Sequence, residues 1–183
     1  FGDLGTLLIL IVILVYIVMA TQFESLKFPF IIMFTIPFAF TGVFLALWMT
    51  STPLSLIALI GAIMLVGIVT KNGIVMVDYM NLLIERGSGV FDAVIAGGKS
   101  RLRPVLMTSF TTILGMLPLA IGTGAGSETW QPMGIAVIGG LTFSTILTLF
   151  IVPVLYSILV NRSQRKEREK LARLSAEHQA SKH

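Results

Sequence analysis

The sequence predicts an all-α membrane protein with five transmembrane helices. Hydrophobic residues make up 55% of the 183 residues and charged residues only 12%, and the mean hydropathy is +0.93. A soluble domain carries about 25% charged residues, so roughly half of the usual charge is missing. Five apolar segments reach the length of about 20 residues that a helix needs to cross a bilayer. They lack sustained alternation of apolar and polar residues, which favours a helical bundle over a β-barrel.

Short stretches that contain charge, proline or glycine separate the five predicted spans. The spans are Leu4 to Thr21, Phe28 to Met49, Leu54 to Leu83, Pro104 to Gly122 and Pro132 to Leu159. Between the third and fourth spans, residues 90–96 predict an amphipathic surface helix. We therefore divide the chain into a five-span transmembrane domain, residues 1–160, and a polar tail of mixed charge, residues 161–183. Residues 165–170 of the tail form either a short surface helix or part of a solvated, frayed end.

The distribution of basic residues predicts the orientation of the spans. Lys27, the cluster at residues 86–103 and the tail fall on alternate sides of the five spans and thus in one compartment, which the positive-inside rule makes the cytoplasm. The opposite side carries Asp3 and Glu128 and no basic residue. Both tryptophans fall near that outer interface, where aromatic side chains are enriched. We expect the N-terminus outside and the C-terminus in the cytoplasm.

Composition also limits the partners and the chemistry. The net charge is +4, but seven of the 13 basic residues lie in the tail among acidic residues. The sequence has no basic stripe with interleaved aromatics, so we predict no nucleic-acid partner. The absence of cysteine excludes disulfides and thiolate metal sites. The sequence contains no pattern of a nucleophile–base pair or a metal cluster, and we therefore predict that the protein is not an enzyme.

One basic residue, Lys71, lies inside a predicted span. It stands 15 residues before Arg86, roughly 22 Å along a helix, and so within the hydrocarbon region. A lysine at that depth costs at least about 2.5 kcal/mol, which a carboxylate or a wet cavity must offset. A functional charge is one interpretation, and a structural ion pair is the alternative.

The sequence predicts few polar neighbours for Lys71. Asn72 adds an amide on an adjacent helical face. Asp78 lies on the same face as Lys71 but closer to the cytoplasm, where a cap or a water contact is the simpler role. No carboxylate is predicted at the depth of Lys71, and the chain opens on Phe1 rather than on methionine. We therefore expect the counter-ion to lie outside this sequence, in a longer protein.

The fourth predicted span carries hydroxyl groups just after Pro104. One interpretation is that Thr108 and Ser109 bond to the carbonyl four residues earlier in their own helix, as such residues often do. The functional alternative is that Thr108 faces Lys71 and holds a water molecule or a proton path. Arg101, at the start of this span, is most simply a topological anchor.

Several sequence motifs resemble the resistance–nodulation–division transporters, in the order that this family has them. Residues 16–25 (YIVMATQFES) are similar to the end of the eighth span of that family, and residues 67–75 (GIVTKNGIV) to its tenth span. Residues 101–109 (RLRPVLMTS) resemble the start of the eleventh span. Residues 122–127 and 134–153 continue the likeness into the twelfth. The resemblance is greatest to the hydrophobe and multidrug exporter branch.

The resemblance implies a specific architecture and mechanism. The chain would be the five-span C-terminal half-domain of a twelve-span bundle built from inverted or pseudo-repeated halves. The pump would be a homotrimer in the bacterial inner membrane, joined to a periplasmic adaptor and an outer-membrane channel. The proton motive force would drive it without a cofactor, through an aspartate pair in the N-terminal half. Carried over by position, the proton-relay residues are Lys71, Thr108, Arg101 and Asn72, with Asp78 and Ser109 as secondary candidates.

The resulting functional prediction is part of a proton-driven efflux pump that exports drugs or other hydrophobic compounds. One alternative is a lipid- or protein-export relative of the same superfamily. A second is a membrane scaffold subunit without a transport cycle, in which Lys71 would find a partner within the five helices or be dispensable. The sequence does not define the exported substrate, because in this family the regions that select it lie largely outside these spans.

Overall fold

A computed structural model describes residues 2–23 and 26–181 of the chain. In this part of the chain the regular elements are all α-helices, listed in chain order as α1 (Gly2–Phe23), α2 (Lys27–Met33), α3 (Thr35–Met49), α4 (Leu56–Glu85), α5 (Val90–Ile121) and α6 (Ser127–Ala180). Five helical segments are long and apolar enough to cross a membrane: α1, α2 together with α3, α4, α5 and α6. The predicted fold class and the five predicted spans are confirmed.

The second span is interrupted at Phe34, a break that the sequence analysis did not predict. Pro37 lies in the first turn of α3 and has no N–H to donate to the carbonyl of Met33. At the break, the buried Thr35 hydroxyl donates to the Ile32 carbonyl at 2.6 Å. The hydroxyl thus satisfies a carbonyl at the end of α2, and the two short helices cross as one span.

Both C-terminal helices are longer than predicted. The surface helix predicted at residues 90–96 and the fourth span form one continuous helix, α5, which passes through Pro104 and Pro118. α5 ends at Gly122, whose φ of +74° is the left-handed conformation that glycine adopts without strain. α6 continues beyond the fifth span to Ala180, so the described part of the tail is helical rather than frayed.

α6 lies at the centre of the bundle, in contact with α2, α3, α4 and α5. Glycines make its close approach to α3 and α4 possible, because they let helix backbones come together. A Cβ built on Gly140 would meet the Leu65 side chain of α4 and lie 2.7 Å from Val43 Cγ2 of α3. A Cβ on Gly139 would likewise meet Ala46 of α3. α6 therefore packs closely against both α3 and α4.

A separate cluster of buried side chains packs α1, α2, α4 and α6 against one another. It contains Met19 of α1, Ile32 of α2, Met76 of α4 and Tyr156 of α6. The Tyr156 hydroxyl donates a hydrogen bond to Asn81 Oδ1 of α4. In the described part of the chain, α1 contacts α2 and α4, and Met19 is its only buried residue. One side of α4 is therefore incompletely covered.

Candidate functional site

One face of α4 carries an exposed stripe along its whole length. The exposed residues recur every three or four positions along α4, apart from one longer interval between Lys71 and Asp78, as expected for one face of a helix. The other faces of α4 pack against the rest of the bundle, with twelve buried residues. The exposed stripe of α4 consists of Leu56, Ile60, Met64, Gly67, Lys71, Asp78, Leu82 and Glu85.

Lys71 lies in the middle of the exposed stripe, in a cleft of about 370 Å³ between α1 and α4. We call this the α1–α4 cleft; its walls are almost entirely apolar and include Leu14 and Val18 of α1 and Gly67 of α4. A Cβ added to Gly67 would meet no atom within 4 Å, so this side of the helix is open. Among residues 2–23 and 26–181, none forms a hydrogen bond or an ion pair with Lys71.

The other candidates on α4 lie on two different faces. Asn72 is buried, with 8% of its surface exposed. Asp78 is exposed on the stripe that carries Lys71, and no ion pair joins these two side chains. The Thr70 Oγ1 atom is buried without a hydrogen-bond partner in the described structure. Sequence reasoning missed this residue, since nothing in the sequence separates an orphaned hydroxyl from the common back-bonded one.

Thr108 and Ser109 make different contacts in α5. The exposed Thr108 hydroxyl donates to the Pro104 carbonyl at 3.0 Å, the local bond that the sequence analysis gave as one of two alternatives. Ser109 is buried, and its Oγ lies 2.9 Å from Thr145 Oγ1 of α6. No described hydrogen bond joins Thr108 to Lys71. A relay role for Thr108 stays a prediction.

The packing contacts nevertheless place Lys71 and Thr108 at the same depth. α4 and α6 run in parallel: Gly140 packs on Leu65 and Tyr156 bonds to Asn81, each α6 residue standing 75 positions after its α4 partner. The same offset places Thr70 of α4 level with Thr145 of α6. The Thr145 hydroxyl is hydrogen-bonded to Ser109 of α5. Lys71 and Thr108 are the chain neighbours of Thr70 and Ser109. The two predicted relay groups are therefore level on adjacent helices.

Arg101 contacts an aromatic ring that the sequence analysis did not single out. Its guanidinium carbon lies 4.9 Å from the centroid of the Tyr79 ring of α4. Its Nε is buried and has no hydrogen-bond partner in the described structure. The two residues are separated in the chain by the α4–α5 connection, so no local motif could have paired them.

Comparisons with known proteins show the family to which the chain belongs. A sequence model of the AcrB/AcrD/AcrF family matches residues 2–160. Over 155 residues the chain is 43% identical to the multidrug resistance protein MdtC of Erwinia tasmaniensis, an alignment that covers 84% of this chain and 15% of that protein. It is 41% identical over 155 residues to the cobalt-zinc-cadmium resistance protein CzcA of Cupriavidus metallidurans, covering 85% of this chain and 15% of that protein. A crystal structure of a heavy metal efflux pump superposes with a TM-score of 0.78 at 31% identity, covering 86% of this chain and 16% of that one.

The helical bundle and these matches identify the chain as a set of membrane-crossing helices of the resistance–nodulation–division class. The chain belongs to the AcrB/AcrD/AcrF family. It spans about 15% of the length of each curated relative reported above.

Proposed function

We propose that this chain supplies the cationic side of the proton relay in a proton-driven efflux pump of the inner membrane. The observation that carries the proposal is the position of Lys71, on an exposed face of α4 and without a partner in the described structure. A charge in the membrane-crossing part of a helix requires an offsetting group. The aspartate pair that the family resemblance implies, on the other half of the bundle, would meet this requirement from the open side of the α1–α4 cleft.

The relatives support a role in energy coupling rather than in cargo selection. The chain is almost equally similar to a multidrug resistance protein and to a cobalt-zinc-cadmium resistance protein. A segment shared at this level by exporters with such different names is suited to a step that they have in common. The scaffold alternative requires that Lys71 has a partner within these helices or is dispensable. The described structure shows no such partner, so the form of this alternative that the Lys71→Met variant tests is the dispensable one.

The chemistry of the relay follows from the charges. While the aspartates are ionised, they attract the Lys71 ammonium and hold α4 against the opposite half. Protonation removes that attraction, so Lys71 loses its counter-ion and α4 becomes free to shift. Thr108 would offer a hydroxyl at the same depth, and Arg101 a cation nearer the cytoplasm. Asn72, Asp78 and Ser109 would line or support this path.

The remaining features of the pump are proposed from the resemblance. The N-terminus of this chain would be periplasmic, and the tail at residues 161–183 would be cytoplasmic. The pump would be a homotrimer whose other regions contact a periplasmic adaptor and an outer-membrane channel.

The test of the relay is Lys71→Met in the full-length gene product, with efflux measured at a fixed proton gradient. Methionine keeps much of the side-chain length but not the charge, so we expect efflux to fall to background at normal abundance in the membrane. Lys99→Met is the matched control, because Lys99 is an exposed lysine on the predicted cytoplasmic part of α5, and it should leave efflux unchanged. Normal efflux by Lys71→Met would refute the relay.

For the cargo we propose drugs or other hydrophobic compounds, in line with the multidrug name of one relative. Metal cations are the second candidate, because another relative is named for cobalt, zinc and cadmium resistance and the matched structure is of a heavy metal efflux pump. Resistance of sensitised cells that express the full-length protein would separate the two. Protection against hydrophobic drugs alone supports the first candidate, and protection against zinc, cobalt or cadmium salts alone supports the second.

A further inference from the structure

α4 and α5 approach each other closely near Arg101. A Cβ built on Gly97 of α5 would lie 2.6 Å from Met80 Cγ of α4, so a larger residue at position 97 would force the Met80 side chain or the helices to move. Arg101 stands one helical turn after Gly97, and Tyr79 is the chain neighbour of Met80. The close approach brings the guanidinium of one helix over the aromatic ring of the other, at 4.9 Å.

The Tyr79 ring is the contact that fixes the Arg101 guanidinium. Among residues 2–23 and 26–181, no hydrogen bond or ion pair involves Arg101, and its Nε is buried without a partner. A planar guanidinium stacks favourably on an aromatic face, and partial removal of water strengthens this attraction. The attraction depends on the ring and not on the tyrosine hydroxyl.

We propose that Tyr79 is a positioning residue that holds Arg101 in place at the α4–α5 contact. This inference rests on the proposed relay role of Arg101. Tyr79 lies two turns from Lys71 on α4, and Arg101 lies two turns from Thr108 on α5. The ring contact therefore links the two helices that carry the proposed relay, and a shift of α4 at Lys71 carries the Arg101 guanidinium with it.

A topological anchor would behave differently. An arginine that only marks the cytoplasmic side needs a charge near the interface but no particular ring beside it. Replacing Tyr79 could then expose Arg101 to modification but would leave the efflux rate unchanged.

The experiment compares Tyr79→Leu with Tyr79→Phe in the full-length gene product. Two quantities are measured: the rate at which phenylglyoxal modifies Arg101, followed by mass spectrometry of its peptide, and efflux at a fixed proton gradient. In Tyr79→Leu we expect modification to accelerate about fivefold and efflux to fall about fivefold, the size of one partly buried cation–π contact. Tyr79→Phe keeps the ring and should match the wild type in both.

The controls separate positioning from general damage. Tyr16→Leu removes another partly buried tyrosine, on α1, and should leave Arg101 reactivity and efflux unchanged. Thermal stability and membrane abundance are measured for every variant. An unchanged modification rate in Tyr79→Leu, or a Tyr79→Phe variant that behaves like Tyr79→Leu, would overturn the proposal.

Arg101→Ala distinguishes this proposal from the relay on which it rests. Loss of efflux in Arg101→Ala together with wild-type behaviour of Tyr79→Leu refutes positioning by Tyr79 and leaves the relay intact. Normal efflux in Arg101→Ala refutes the relay role of Arg101 and, with it, a functional role for Tyr79.

Discussion

The α3–α6 interface and the α1–α4 cleft both contain glycine on membrane-crossing helices, yet they differ in nearly every physical respect. At the α3–α6 interface, Gly42 and Gly139 bring backbones together, and a Cβ on either would clash. In the α1–α4 cleft, Gly67 has open space beside it, and the neighbouring side chain is the ammonium of Lys71. The first region holds the five spans together. The second leaves a charge accessible to whatever approaches it.

In this bundle, the residues that stabilise the fold and the residues proposed to act in transport lie on different helix faces. Apolar packing around α6 is extensive, because α6 is in contact with the four helices α2 to α5. The exposed stripe of α4 is less well covered, since α1 packs against only part of it. Substitutions at the α3–α6 interface should therefore change folding, and those on the stripe should change transport.

The largest effect is expected for Gly140→Val in α6. The new side chain would collide with Leu65 and Val43, and overpacking of this kind costs about 3 kcal/mol. We expect most of the full-length protein to be lost on detergent extraction, measured as the monodisperse fraction in size-exclusion chromatography. Gly115→Val is the control, because a Cβ at Gly115 meets nothing within 4 Å. Equal recovery of the two variants would show that packed and open helix faces tolerate a new side chain equally well, contrary to this prediction.

Thr108→Val should lower efflux about tenfold, the worth of one lost hydrogen bond in a proton path, without altering stability. Valine has the shape of threonine but no hydroxyl. Thr111→Val is the matched control, since the exposed Thr111 hydroxyl makes the same type of bond, to the Met107 carbonyl at 2.8 Å. Similar efflux for the two variants would mean that both hydroxyls serve only their own helix.

Tyr156→Phe should lower the free energy of unfolding by about 1 kcal/mol, because it removes the partly buried hydrogen bond to Asn81 and keeps the ring that stacks on Phe28. Chemical unfolding in detergent measures the change. Tyr16→Phe removes a more exposed bond, to the Leu26 carbonyl, and should cost less. A larger loss for Tyr16→Phe would show that burial does not set the strength of these bonds.

The smallest effect is expected for Gly67→Ala, which should change the free energy of unfolding by less than about 0.5 kcal/mol. Gly73→Ala on the same helix is the comparison, since its Cβ would lie 2.9 Å from Ile32 Cγ2 and should be destabilising. Thermal unfolding of the full-length protein decides between them. Equal losses would mean that another part of that protein fills the α1–α4 cleft.

Hydropathy predicts the number and order of the spans because each bilayer crossing needs its own long apolar segment. It does not predict the break at Phe34, which depends on the missing N–H of Pro37 three residues later. Hydropathy also predicts a boundary between residues 90–96 and the fourth span, because Pro104 and the charges before it resemble the end of a helix, whereas the structure has one continuous helix. Inside a bundle, neighbouring groups let the helix continue through a proline.

The sequence likewise predicts some features of the candidate site and not others. The depth of Lys71 and the lack of a nearby carboxylate follow from counting residues along a helix. Whether Thr108 bonds to its own backbone depends on a rotamer, which the sequence leaves open. The Tyr79–Arg101 contact depends on the separation of α4 and α5, which Gly97 sets through tertiary packing.

The continuity of α5 has a mechanical consequence. α5 is tied to α6 near its middle by the bond between Ser109 and Thr145, and again close to its C-terminal end, where Gln131 Nε2 donates to the Ala120 carbonyl at 3.0 Å. Among the described residues, no side-chain hydrogen bond ties α5 to α6 on the other side of Ser109, where Arg101 stands roughly 12 Å away along the helix. A tilt of the continuous helix therefore displaces the Arg101 end and leaves Ile121 nearly in place.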